Sequence, residues 1–156
     1  FQATIDFPER LQDIRLRETL PPSLYEEFQR SFEDFHRLSY FRTTAQQTRK
    51  SEVAARQFID ANAVMGMGTD SGSPLNFHTE SAWREISALV DSGMTPLQAI
   101  SVATKTGAEI IRRGNDLGTI EPGKLADILV VRGNPLFDIN VLGYVEHVVK
   151  GGTVYR

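Results

Sequence analysis

Met65-Gly66-Met67-Gly68-Thr69-Asp70-Ser71-Gly72 is a short apolar run, punctuated by glycine, that ends abruptly on a carboxylate and a polar turn. The segment Val64 to Thr69 reads as a strand. Side chains alternate along a strand, so Val64, Gly66, Gly68 and Asp70 share one face. Two glycines beside the carboxylate leave room there, for a crowded interior or for a substrate. In a parallel barrel, reacting groups sit where strands end, at the C-terminal face. Asp70 therefore has the position and chemistry of a metal ligand or general base. The plainer alternative is a turn-capping Asp, a favoured role for that residue before Ser71-Gly72.

Upstream of this run, residues 45–60 read as a helix. Val53, Ala54, Phe58 and Ala61 mark its apolar side, Arg49, Lys50, Glu52, Arg56 and Asp60 its wet side, and Asn62 its left-handed stop. Residues 1–44 are polar and helical, broken at Pro21-Pro22. Pro8 is placed to open a helix through Leu11, Ile14 and Leu16. Ser23 is placed to cap a second, carrying Leu24, Tyr25, Phe28, Phe32 and Phe35 at helical spacing. Such a stripe packs on a neighbour or forms a lid over a site.

Downstream, a helix follows Thr79, with Ala82, Trp83, Ile86, Leu89 and Val90 inward and Gly93 as its stop. Arg84 and Glu85 read as a solvated face. Thr95-Pro96-Leu97-Gln98 has the form of a capping box with proline in the first turn. The helix it opens carries Leu97, Ile100, Val102 and Ala103; a further helix is expected from Thr106 to Gly114. After residue 116 the pattern turns to strands. Leu125–Val131 is one, and Val145–Val149 and Thr153–Tyr155 form a hairpin about Gly151-Gly152.

The chain has 156 residues, 40% hydrophobic and 24% charged, with a formal net charge of −3. That charge offers nucleic acid or an anionic membrane no electrostatic handle, and no apolar run is long enough for a membrane helix. The absence of cysteine excludes disulfides and thiol catalysis and fits a cytoplasmic location. Phe1 in place of Met points to a processed product or a piece of a longer chain.

Five stretches together resemble the C-terminal part of the metal-dependent amidohydrolase superfamily, in its imidazolonepropionase-like and Xaa-Pro dipeptidase-like branch. They are Met65–Gly72, Leu89–Ala103, Leu117–Val131, Gly133-Asn134-Pro135-Leu136 and Val148–Arg156. The resemblance implies an α/β chain: the C-terminal portion of a (β/α)8 TIM barrel plus part of a small β-sandwich. Residues 1–44 are then a helical insertion or lid. Residues 45–115 form the last barrel segment, whose eighth strand ends in Asp70, and residues 116–156 supply sandwich strands.

The same resemblance implies that Asp70 is both metal ligand and catalytic base in a hydrolase cleaving a C–N bond with activated water, the metal being divalent, zinc first. The other ligands belong to a His-x-His pair, a mid-barrel Lys or Glu and further histidines. None is identifiable here, where the histidines are His36, His78 and His147. The full-length protein is expected to supply them, with a His-x-His roughly 250–300 residues before Asp70. A small-molecule or dipeptide substrate, the N-terminal remainder of the same protein and a homo-oligomer are the expected partners.

His78 and Ser71 are candidate substrate contacts, while Thr69 and Ser71 also stand to orient Asp70. His36 and His147 read as structural. Two other readings remain. The chain could be a non-catalytic structural or interaction piece. Asp70-Ser71-Gly72-Ser73 also matches the aspartic-protease signature, which needs two carboxylates in a nearly all-β scaffold.

Overall fold

The computed structural model describes residues 9, 12–33, 44–72, 76, 78 and 80–155. It divides into two compact units, Phe1–Ala54 with Thr69–Ser81 and Ala55–Gly68 with Ala82–Arg156. Both helices and strands are present, and no described helix is long and apolar enough to cross a membrane.

In the first unit, helix α1 (Ile14–Thr19) is capped by Asp13, whose carboxylate accepts from the Arg15 amide at 2.9 Å. Its Leu16 is buried. Helix α2 spans Pro22–Glu33. It opens at Pro22 rather than behind a Ser23 cap: the Leu24 and Tyr25 amides both donate to the Pro21 carbonyl at 3.0 Å. Proline suits the first helical position because its φ is preset and its missing N–H would be unpaired there anyway. Pro8, Leu11, Phe35 and the Phe32 side chain lie outside the described residues.

Helix α3 (Thr44–Asp60) ends as expected. Asn62 takes φ 50°, and Ala63 donates to the Phe58 carbonyl at 3.0 Å, the hydrogen bond of a left-handed helix stop. Its covered side differs from expectation. Val53 and Phe58 are exposed, and Ile59 packs instead on the second unit's core, where Met94, Ala99 and Val102 are buried among Met65, Met67, Ile86, Leu89 and Val90. Periodicity groups residues onto a face, but the neighbours decide which face is covered.

Val64–Thr69 forms no strand. A strand is defined by ladder hydrogen bonds to a neighbour, and the described residues offer this segment none. The expected alternation survives. Met65, Met67 and Thr69 are partly covered, while Val64, Gly66, Gly68 and Asp70 are exposed. A Cβ on Gly66 would lie 2.9 Å from Ile110 Cδ1, whereas one on Gly68 would meet nothing within 4 Å. Only Gly68 keeps the open space expected of both.

Helix α4 (Ser81–Asp91) stops at Gly93, φ 112°, with Met94 donating back to Leu89 at 3.1 Å. Ala82 is exposed, outside the expected apolar face, while Trp83 is half-buried against Gly143 with the Arg84 guanidinium 4.6 Å from its ring. Arg84 and Glu85 are partly covered rather than solvated, and burial holds the Glu85 carboxyl above its ordinary pKa.

Helix α5 (Pro96–Ser101) carries the full capping box, Thr95 and Gln98 each bonding the other's backbone. It is not followed by a separate helix. A π-turn, Val102–Thr106, joins it directly to α6 (Gly107–Ile110), which stops before the expected Gly114. Arg112 (φ 60°) makes that stop, with Arg113 donating to Ala108 at 2.8 Å. Leu97 is exposed, while Ala99 and, beyond the turn, Ala108 are buried.

The C-terminal strands form one antiparallel sheet in the order β1 (Ile128–Val131), β2 (Val145–Lys150), β3 (Thr153–Val154). Lys150 pairs with Thr153 across Gly151 and Gly152, whose φ of 55° and 82° match the expected tight hairpin turn. Asp127 braces this turn, accepting from the Gly151 amide at 2.7 Å and from Lys150 Nζ.

Candidate functional site

The loop after Met67 gathers the candidate residues of the first unit. Asp70 is exposed with φ 51°, the left-handed region that Asp tolerates better than most residues. Ser71 is half-buried. Its hydroxyl shares a hydrogen bond with Thr69 Oγ1 at 2.8 Å, and its amide donates to the same Thr69 oxygen at 3.3 Å. The two hydroxyls are thus engaged with each other.

His78 is exposed and returns to this loop. A Cβ on Gly72 would lie 3.5 Å from His78 Cε1 and 3.9 Å from Nε2. Glycine at 72, φ 99°, thus gives both the backbone shape and the space that bring the imidazole against the turn after Asp70. His36 lies outside the described residues, and His147 is an exposed residue of β2, in the second unit and opposite Val130.

Three residues of the first unit are not marked by a sequence motif. Asn76 Nδ2 donates to the Thr69 carbonyl, its backbone carbonyl accepts from the Gly72 amide at 3.1 Å, and its Oδ1 accepts from Ser81 Oγ at 2.5 Å. Glu80, buried beside Ser81, accepts from Arg15 Nη2 at 3.1 Å, and Arg15 also pairs with Asp13. That arginine holds the Asp13 carboxyl below its ordinary pKa. The sequence signal for Asn76 is its residue type, since Asn side chains bond nearby backbone groups in turns. No sequence signal links Arg15 to Glu80.

A resident metal needs several converging ligands. Among the described residues no group of three or more His, Asp or Glu side chains stands together. These residues do not hold a cation by themselves; Asp70 offers one carboxylate. The helices α1–α6 likewise are not the nearly all-β scaffold that the Asp-Ser-Gly-Ser signature requires.

The model of the amidohydrolase family matches residues 28–155. An imidazolonepropionase of Porphyromonas gingivalis is 33% identical over 114 residues, which cover 71% of this chain and 27% of that protein. Among solved structures, a Xaa-Pro dipeptidase with methionine bound in its active site aligns with a TM-score of 0.63 and 37% identity, over 67% of this chain and 25% of that one. Phenylurea hydrolase B aligns with a TM-score of 0.60 and 29% identity, over 64% and 25%. The chain thus spans about a quarter of the length of these relatives.

Proposed function

Because the chain belongs to the amidohydrolase family, we propose that it is the C-terminal part of a metal-dependent hydrolase that cleaves a C–N bond with activated water. The bond is an amide, a peptide or a cyclic amide. The family match over residues 28–155 supports this reading most, together with an exposed Asp70 at the end of an extended apolar segment.

In this reading Asp70 takes a proton from the attacking water and returns it to the leaving nitrogen, as a carboxylate within hydrogen-bond reach can. It also supplies one metal ligand, the others coming from elsewhere in the full-length protein; members of the superfamily are generally metal-dependent. A divalent cation is proposed, zinc first. His78 and Ser71, on the same loop, are proposed substrate contacts. The assignment of residues 1–44 as insertion or lid, 45–115 as last barrel segment and 116–156 as sandwich strands belongs to the same proposal. So do a cytoplasmic location and a homo-oligomer.

The test uses the full-length protein. Its metal content is measured, and it is assayed on Xaa-Pro dipeptides, N-acyl amino acids and cyclic amides. Asp70→Asn should lower turnover by about 10²–10⁴-fold with little change in folding; unchanged turnover removes Asp70 from the mechanism. A non-catalytic structural role is the second reading, motivated by the lack of a three-ligand group among the described residues. A full-length protein without stoichiometric metal and without activity on any of these substrates would establish it.

A further inference from the structure

Asn76 grips the chain on both sides of Asp70. Its side-chain amide takes the Thr69 carbonyl, part of the peptide that enters Asp70. Its own carbonyl takes the Gly72 amide, two residues beyond, at 3.1 Å. The remaining arm is fixed: Oδ1 accepts from Ser81 Oγ at 2.5 Å, and Ser81 is buried at the start of α4. Between the two grips the backbone is held at positive φ, 51° at Asp70 and 99° at Gly72.

A non-glycine residue at positive φ is disfavoured, and it persists where its surroundings over-determine the conformation. Here Asn76 bonds the chain on both flanks of Asp70, beside the Thr69–Ser71 hydroxyl pair. The direction in which the Asp70 carboxylate leaves the backbone follows from that φ. Freed from the Asn76 grip, the peptide before Asp70 can rotate, and the carboxylate swings with it.

We propose that Asn76 is a positioning residue for Asp70: it touches neither substrate nor reacting atoms and acts by holding the Thr69–Gly72 backbone. The proposal rests on the reading of Asp70 as the reacting carboxylate. It adds a residue whose side chain has no chemistry of its own in the reaction. Misplacement of a reacting group by about 1 Å can cost about a hundredfold in rate, so loss of the grip should be visible in turnover.

The experiment uses the full-length protein and Asn76→Asp. This variant keeps the size of the side chain and an acceptor for Ser81 but cannot donate to the Thr69 carbonyl. Amide exchange at Ser71 and Gly72 should accelerate about tenfold while exchange in α4 and α5 is unchanged. On whichever of the assayed substrates is turned over, kcat should fall about ten- to a hundredfold with KM within about twofold. The same substitution placed on Asp70→Asn should add no further loss. Unchanged exchange, a raised KM at constant kcat, or an equal additional loss on the Asp70→Asn background each overturn the proposal. Should Asn76→Asp fail to fold, Ser81→Ala, which removes only the outer arm, carries the same comparisons with smaller effects. If Asp70→Asn itself retains full turnover, the hydrolase role of Asp70 fails and the exchange result alone judges Asn76.

Discussion

Arg15 and Glu80 are 65 residues apart in sequence and meet at 3.1 Å. Arg15 sits in the first turn of α1, and its Nη2 reaches a glutamate side chain that is only 11% exposed. The same guanidinium pairs with Asp13, the cap of α1. One side chain therefore joins a helix start to the segment that also carries His78 and Ser81.

Arg15→Ala should destabilise the protein by about 1–2 kcal/mol, the scale of a lost charged hydrogen bond at a partly exposed site. The pH dependence follows from Asp13. Arg15 lowers its pKa in the folded state, so the stability it contributes is full above its ordinary pKa near 3.9. It is lost as pH falls through the lowered value. Denaturant unfolding of wild type and variant should therefore differ most near neutrality, with the gap narrowing only as pH falls below about 4. A gap that does not change with pH would mean the pair contributes no linkage.

Glu85 is expected to behave in the opposite sense. Burial raises its pKa in the folded state, so the folded form holds the proton more tightly than the unfolded form. The penalty of ionising it is absent below the ordinary value near 4.3 and grows as pH rises toward the raised one. Glu85→Gln should then unfold at higher denaturant than wild type at pH 7.5 and at the same denaturant at pH 4.

Gly118 packs against the α5–α6 region with φ 94°. An added Cβ would sit 2.8 Å from Ala108 Cβ and 3.0 Å from both Lys105 Cα and the Thr104 carbonyl. Backbone atoms cannot rotate away as a side-chain tip can. Gly118→Ala should cost about 2–3 kcal/mol, combining positive-φ strain with overpacking. Gly68→Ala, where nothing lies within 4 Å, is the contrast, and thermal unfolding should shift far more for Gly118.

Thr95→Ala removes the hydroxyl that accepts from the Gln98 amide at 3.3 Å and bonds Gln98 Oε1 at 2.9 Å. About 1 kcal/mol of stability should be lost, readable as a lower unfolding midpoint with an unchanged denaturant slope. Thr95→Ser should restore most of it.

Local chemistry was legible wherever it depends on a few adjacent residues. Thr95-Pro96-Leu97-Gln98 announces its capping box, Asn62 and Gly93 their helix stops, and Gly151-Gly152 its hairpin, because each needs only its own backbone geometry. The alternation through Met65–Asp70 was legible for the same reason. The single helix from Pro96 to Ile110 was not. A π-turn keeps the backbone bonded where a break was expected, and periodicity alone does not distinguish re-phasing from termination. Ser23 is not the cap because the helix already begins at Pro22, which suits the first helical position.

The candidate site divides along the same line. Asp70, Ser71 and His78 are visible in the sequence as chemistry at a turn, and the five family-like stretches point to the amidohydrolases without any coordinates. Asn76 is visible only as a turn residue; its grip on both flanks of Asp70 emerges when the loop closes. Arg15 and Glu80 carry no mutual signal at all, since ion pairs between distant residues depend on how the chain returns to itself.

Residue order alone thus determined the capping box at Thr95, the helix stops at Asn62 and Gly93, the hairpin, the alternation that puts Asp70 on one face with Gly66 and Gly68, and the family. Those depend on propensity and on contacts within a few residues. Tertiary structure alone decided which helix faces are covered, that Val64–Thr69 carries no ladder among the described residues, and that Asn76 bonds the chain on both sides of Asp70 while Arg15 reaches Glu80. Each of these needs a partner from elsewhere in the chain, and only folding brings it within bonding distance.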